Sequence, residues 1–232
     1  MARVEQIVLT VALGLAVVCA AAPAPAPAAA TAESTLASIP SSQFVYHPTT
    51  PALNTAVSGG GSSSQRLLAQ WPALKGTGIS QTAFNLNPCS LRPPHTHPYA
   101  SGLLYATSAN NLQVGFVMAD GTSEPVVNNI TTGASALFPQ GLIHYQLNLD
   151  CQPASYTISY SSEEPETQTV VNGLLGLPRP ALQAALGFSS GDFDLWQAQA
   201  PTSKFIQVAD ADCAARCGLS SNATVISFST HN

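Results

Sequence analysis

Pro93-Pro94-His95-Thr96-His97-Pro98 and, further along, Phe138-Pro139-Gln140-Gly141-Leu142-Ile143-His144 are the two stretches on which the fold turns. Three of the five histidines of this 232-residue chain sit in them. Imidazoles at i and i+2 of a strand point to the same face. A third, on a distant strand, meets them only if the sheet closes or folds over. Three convergent imidazoles are a metal site by chemistry, because neutral imidazole is the commonest transition-metal ligand.

Around these stretches the pattern is one of short strands separated by turns. Gly78 to Leu86, Leu103 to Thr107, Leu112 to Met118, Pro125 to Ile130, Ser135 to Phe138, Leu142 to Leu149 and Ala154 to Tyr160 are each β-leaning. Turn signals stand between them at Ser108-Ala109-Asn110-Asn111, Asp120-Gly121 and Thr131-Thr132-Gly133. This spacing predicts an all-β sandwich or barrel. Ser42 to His47 is expected as a further short strand, and Gly59-Gly60-Gly61-Ser62-Ser63-Ser64 as a flexible loop. After Thr169 the character changes. Pro178 to Leu186, closed by Gly187, carries a helix signature, and Asp192 to Gln199 and Asp212 to Cys217 are expected as short helices.

The N-terminus reads as a secretory signal over 1–22: Arg3, then an apolar run from Ile7 to Ala22 with small residues for cleavage. The run is short for a membrane span, so no membrane association is expected after cleavage. Residues 23–36 form a Pro/Ala-rich linker, 37–177 the β-barrel and 178–232 a helical C-terminal extension. Only 8% of residues are charged and the net charge is −5. Without a basic patch, nucleic acid is not an expected partner.

Cys19 leaves with the signal, and Cys89, Cys151, Cys213 and Cys217 remain, an even number suited to disulfides outside the cell. Cys89 precedes His95 and Cys151 follows His144, so neighbouring histidine strands would allow a Cys89–Cys151 bridge, with Cys213–Cys217 pinning the terminal helix. The connectivity stays open. A zinc reading of Cys213-x3-Cys217 fails for want of a nearby His or a second Cys pair. Asn129-Ile130-Thr131 and Asn222-Ala223-Thr224 are glycosylation sequons.

The second histidine stretch completes a longer pattern of Gly133, Pro139, Gly141, His144 and Asn148. With Pro93-Pro94-His95-Thr96-His97-Pro98 it resembles the paired motifs of germin-like cupins. Asn87-Pro88-Cys89, the segment Asn148 to Ala154 and the tail Asp212 to Gly218 resemble the microbial, spherulin-like members. The resemblance implies a cupin jelly-roll barrel, secretion, homo-oligomers and a divalent metal, Mn by family, held by His95, His97 and His144. The acidic ligand of that family falls here on Gly102, and the motif's closing glycine on Ala109. An asparagine that germins often carry before Pro-Pro-His corresponds to Arg92.

Loss of the carboxylate leaves a donor set of neutral imidazoles, which suits Zn, Cu or Fe better than Mn. Water or a small anionic ligand at the metal can fill the gap at Gly102. Tyr99, Gln140, Gln146 and Asn148 are the nearby side chains with polar groups, and Gln146 and Asn148 share strand parity with His144. Three functions follow. The first is a secreted metal-binding germin-like cupin, whose activity, if present, is that of a metal-dependent oxidoreductase. Oxalate oxidation is not expected with Gly102 in place of Glu. The second is a non-catalytic extracellular, wall-associated or storage cupin with a degenerate site. The third is a sugar-binding jelly roll using Tyr99, Tyr105 and Tyr145.

Overall fold

Strict alternation of buried and more open side chains along Ser80–Leu86 and Ala154–Tyr160 makes each of these strands one wall of a core. The computed structural model describes residues 31–48, 55–121, 123–207 and 209–220. Its strands are β1 (Thr55–Ser58), β2 (Gly61–Arg66), β3 (Ser80–Leu86), β4 (Leu91–Thr96), β5 (Gly102–Ser108), β6 (Leu112–Phe116), β7 (Val126–Ile130), β8 (Ser135–Phe138), β9 (His144–Asn148), β10 (Ala154–Tyr160) and β11 (Gln168–Thr169). One sheet runs β1-β2-β3-β10-β5-β8 and the other β11-β4-β9-β6-β7, and every pairing is antiparallel. This is the jelly-roll barrel expected from the motifs. Its interior packs Phe84, Leu104, Leu112, Phe138, Tyr156 and Ile158 from both sheets.

The helices are α1 (Ala32–Ala37), α2 (Val170–Leu175), α3 (Arg179–Leu186), α4 (Ser190–Gln199) and α5 (Ala211–Arg216). Helix α1 starts inside the Pro/Ala-rich stretch. Its N-cap is Thr31, whose side chain accepts from Ser34 N–H. It lies in a compact unit of its own, separate from the one that begins at Pro40. Helix α3 ends at Gly187, whose φ of 69° is the left-handed C-cap geometry that glycine adopts without strain. No described helix is long and apolar enough to cross a membrane. The signal segment at 1–22 and the sequon at Asn222 lie outside the described residues.

Two local expectations are corrected. Ser42 to His47 is not a strand: Ser41–Phe44 forms a 3₁₀ turn, opened by the fixed φ of Pro40 and closed by Gln43 N–H donating to Pro40 O at 2.8 Å. The glycine-serine run is not a flexible loop. Ser58 pairs with Gly61 across a tight hairpin, and Gly61–Arg66 becomes an inner strand beside β3. Gly61 is required there, because a Cβ would lie 2.3 Å from Asn85 O. Serines carry no hydrophobic period, so the strand was invisible to pattern reading.

Past α4 the chain returns to the barrel. Phe205 enters the main core, and Ile206 forms an isolated bridge with Leu91. The cysteines pair as Cys89–Cys213 and Cys151–Cys217. The Cys89–Cys151 and Cys213–Cys217 pairings are thereby corrected. α5 lies against the ends of both histidine strands and takes one cysteine from each, whereas an i,i+4 bridge would distort the helix that carries it.

Candidate metal centre

The Pro93-Pro94 pair builds the site before any metal is considered. Strands β4 and β9 pair as Leu91↔Leu147, Arg92↔Gln146 and His95↔His144, with a register shift between Arg92 and His95. Three residue steps on β4 thus match two on β9, a bulge placed where two prolines have no N–H for the ladder. In a regular strand Arg92 and His95 would face opposite sides. The bulge turns both inward, and His97, just past the strand, is buried with them.

The three imidazoles converge. Ring centroids lie 4.3 Å apart for His95–His144 and 5.2 Å for each of the other pairs. One ring nitrogen from each falls within 4.8 Å of the others. Each Nδ1 meets a backbone carbonyl: His95 with Pro93 O at 2.7 Å, His144 with Leu142 O at 2.9 Å, and His97 with Glu166 O. A carbonyl only accepts, so each Nδ1 carries the proton and each Nε2 keeps its lone pair. His97 Nε2 and His144 Nε2 are buried without a hydrogen-bond partner. Lone pairs so oriented by carbonyls behind the rings are what a metal ligand requires. Burial also lowers all three imidazole pKa values, that of His144 to about 4, and the Arg92 cation adds to the effect. The rings are therefore neutral and available at neutral pH.

Gly102 begins β5, opposite Phe138 and Tyr160. A side chain there would point into the barrel: its Cβ would lie 3.1 Å from Ile158 Cγ2 and 3.6 Å from the Tyr160 ring. That ring in turn packs edge-on against His97 at 4.7 Å, and Phe138 stacks on His144 at 4.5 Å. Aromatic carbon thus flanks the imidazoles on this side. Motif reading missed both aromatics, although their burial follows from the alternation of β8 and β10.

The other expected residues separate into distinct roles. Gln146 is fully buried; its Oε1 accepts from Tyr156 O–H at 3.4 Å and its Nε2 has no partner. Asn148 is equally buried but spent on the backbone, donating to Leu86, Asn87 and Gln152 carbonyls and accepting from Asp150 N–H. Tyr99 is exposed, and Gln140 is tied to Pro98 O at the rim. Tyr105 and Tyr145 sit on strands of different sheets. Asn129 is exposed on β7.

Arg92 is 6% exposed. It donates from Nη1 to Lys204 O at 2.8 Å and lies over the Phe205 ring, while its Nε has no partner. Among the described residues no Asp or Glu is buried, so this cation has no buried counter-charge. Burial lowers its pKa, and the nearby Tyr156 and Tyr160 phenols partly offset that. The same burial raises the Tyr160 phenol to about 12. Arg92, His97, Tyr160, Thr82 and Lys204 line a cavity of about 540 Å³, with Glu166 also on its wall.

The chain matches the Cupin family over residues 49–192. Spherulin-1B of Physarum polycephalum is 28% identical over 188 residues, spanning 79% of this chain and 73% of that protein. Germin-like protein 1 of Brassica napus is 34% identical over 130 residues, spanning 56% and 61%. The structure of an oxalate oxidase in complex with the substrate analogue glycolate superposes with a TM-score of 0.62 at 26% identity, covering 68% of this chain and 80% of that one.

Proposed function

The chain belongs to the cupin family, and we propose that it is a secreted germin-like member that binds one divalent metal through His95, His97 and His144 and a small anion beside Arg92. The observation that carries this reading is the trio of Nδ1–carbonyl contacts, which leaves three Nε2 lone pairs converging with two of them buried and unpartnered. An ion there would supply a Lewis-acid centre, redox-active if it were Mn, Fe or Cu. Mn follows from the family, while an all-imidazole donor set suits Zn, Cu or Fe.

The anion follows from charge. A divalent ion and Arg92 would place three positive charges in an interior with no buried carboxylate among the described residues. Burying a charge without a partner costs several kcal/mol, and a ligand carboxylate or comparable anion would offset it. Arg92 Nε–H has no partner in the fold, and Thr82 and Tyr160 line the same cavity. Two disulfides support an extracellular location, and exposed Asn129 supports glycosylation there. Leu103 and Leu137, exposed and directly paired across β5 and β8, give homo-oligomers an apolar face.

A second reading, a non-catalytic scaffold, draws support from Gly102, where Ile158 and Tyr160 already crowd the position of a further ligand. One set of measurements tests both. Tag-free protein is stripped and reconstituted with Mn, Zn, Cu and Fe, then assayed for bound metal. We expect one metal per chain, lost in His95→Ala/His144→Ala. No stoichiometric metal under any condition would sink the metal-site reading. Metal-dependent turnover of oxalate, superoxide or another small anion would exclude the scaffold reading.

A further inference from the structure

The sulfurs of Cys89, Cys213 and Cys217 lie within 4.8 Å of one another at the seam between the barrel and the C-terminal helix, and Cys151 joins them through its bond to Cys217. Cys217 Sγ lies 3.7 Å from Cys89 Sγ and 4.0 Å from Cys213 Sγ, in addition to its bond with Cys151. Zinc in a tetrahedral thiolate site has Zn–S bonds of about 2.3 Å, which sets its sulfurs about 3.8 Å apart. Two edges of that tetrahedron are therefore already present between residues that are not bonded to each other. We propose that Cys89, Cys151, Cys213 and Cys217, when reduced, form a tetrathiolate zinc site that fastens α5 to the barrel in place of the two disulfides.

The scaffold around the sulfurs does not depend on the bridges. Ala209 N–H donates to Cys89 O at 2.7 Å and Cys89 N–H to Asp150 O at 3.3 Å. Arg216 donates to Leu149 O, Ile206 pairs with Leu91, and Asp210 caps α5 through Cys213 N–H. Opening the bridges leaves four thiols held at the same seam, with Asp212 in the first turn and Arg216 in the last turn of the same short helix. Cys89 and Cys213 are fully buried, while Cys151 is exposed and gives a reductant access. The sequence argument against zinc at Cys213-x3-Cys217 was the lack of a nearby His or a second cysteine pair; the fold supplies two further cysteines from the ends of the two histidine strands.

Simple exchange between the bridges fits less well. Cys217 Sγ is nearly equidistant from both sulfurs of the Cys89–Cys213 pair, beside that bond rather than on its axis, whereas displacement of a sulfur requires attack along the axis. Two molecules of a dithiol reductant give four electrons and four protons to the two bridges and leave as disulfides. Zn²⁺ then displaces the four thiol protons to solvent. The consequence is that the terminal helix is held in a reducing compartment as well as in an oxidising one.

Cobalt(II) tests this. Protein reduced with a phosphine under argon should develop thiolate-to-cobalt charge-transfer absorption saturating at one Co²⁺ per chain, absent from oxidised protein and abolished by equimolar Zn²⁺. An all-imidazole site gives no such band, so the histidine centre cannot imitate it. Cys151→Ser should weaken zinc binding to the reduced protein by more than about tenfold. A reduced chain that lacks the band overturns the proposal, whether circular dichroism shows it folded without metal or shows that zinc fails to refold it.

Discussion

Replacing Gly102 with Glu tests where the missing ligand belongs. The Cβ alone would lie 3.1 Å from Ile158 Cγ2, a contact that forces the strand or the methyl to give. Ile158 is 1% exposed on β10, between Tyr156 and Tyr160, so the neighbourhood has little room. Overpacking of this kind costs about 1–3 kcal/mol. For a chain of this size that lowers the melting temperature by about 2–12 °C, at roughly 2–4 °C per kcal/mol. The buried carboxylate adds to the loss in metal-free protein and reverses it when metal is present, because the new anion faces the imidazoles. Ile158→Leu removes the offending branch methyl, so Gly102→Glu/Ile158→Leu should recover much of the stability. Calorimetric titration with Mn²⁺ is the assay, with differential scanning calorimetry as the stability readout. Both variants should bind Mn²⁺ more tightly than the parent, and added Mn²⁺ should raise their melting temperatures further than the parent's. Folded variants with unchanged Mn²⁺ affinity would refute the placement of residue 102 at the metal.

Three further outcomes are expected. Arg92→Met removes an unpaired buried cation while keeping its packing on Phe205, so metal-free protein should gain about 1–3 kcal/mol in chemical denaturation, and acetate binding to the metal-loaded protein should weaken; loss of stability with undiminished acetate binding would contradict the role given to Arg92. Asn148→Ala removes an NH2 group shared among three carbonyls and one accepted bond from the backbone beneath the site, and should cost about 2–4 kcal/mol by urea denaturation; a loss under 1 kcal/mol would show these bonds to be dispensable. His144, at about 4 in the fold and about 6.5 unfolded, takes up its proton more readily when unfolded. His144 alone should thus cost metal-free protein about 3 kcal/mol as pH falls from about 6.5 to 4, in addition to the losses from His95 and His97, and His144→Asn should reduce the slope; an identical slope in the variant would place the titration elsewhere.

The histidine motifs made the barrel and its three inward rings legible, because each motif residue serves a local need. Gly141 takes a φ of 78° in the turn before His144, and Asn148 ties down the strand's far end. What stayed hidden depends on chain distant in sequence. The cysteine pairing could not be read from strand ends, because the partner of each barrel cysteine lies on a helix placed by Phe205 and Ile206. Arg92 was visible as a departure from the germin pattern, but its isolation from any buried carboxylate was not. Strand β2 escaped notice because its serines face neighbours through backbone bonds rather than an apolar stripe. The bulge that aligns Arg92 with His95 was written in Pro93-Pro94, yet its effect on facing appears only against the register of β9.

The grip of Lys204 O on Arg92, across 112 residues of sequence, has a consequence for the order of synthesis. All three histidines leave the ribosome well before residue 204. A nascent barrel can therefore gather its imidazoles while the guanidinium still lacks its carbonyl partner and the Phe205 ring is still missing from the core. The cavity acquires its final charge arrangement only when the last stretch of chain swings back. Under the proposed function, metal loading and anion selection would then be separable in time: an ion captured during translation would meet an unfinished pocket, and only the finished one would discriminate among ligands.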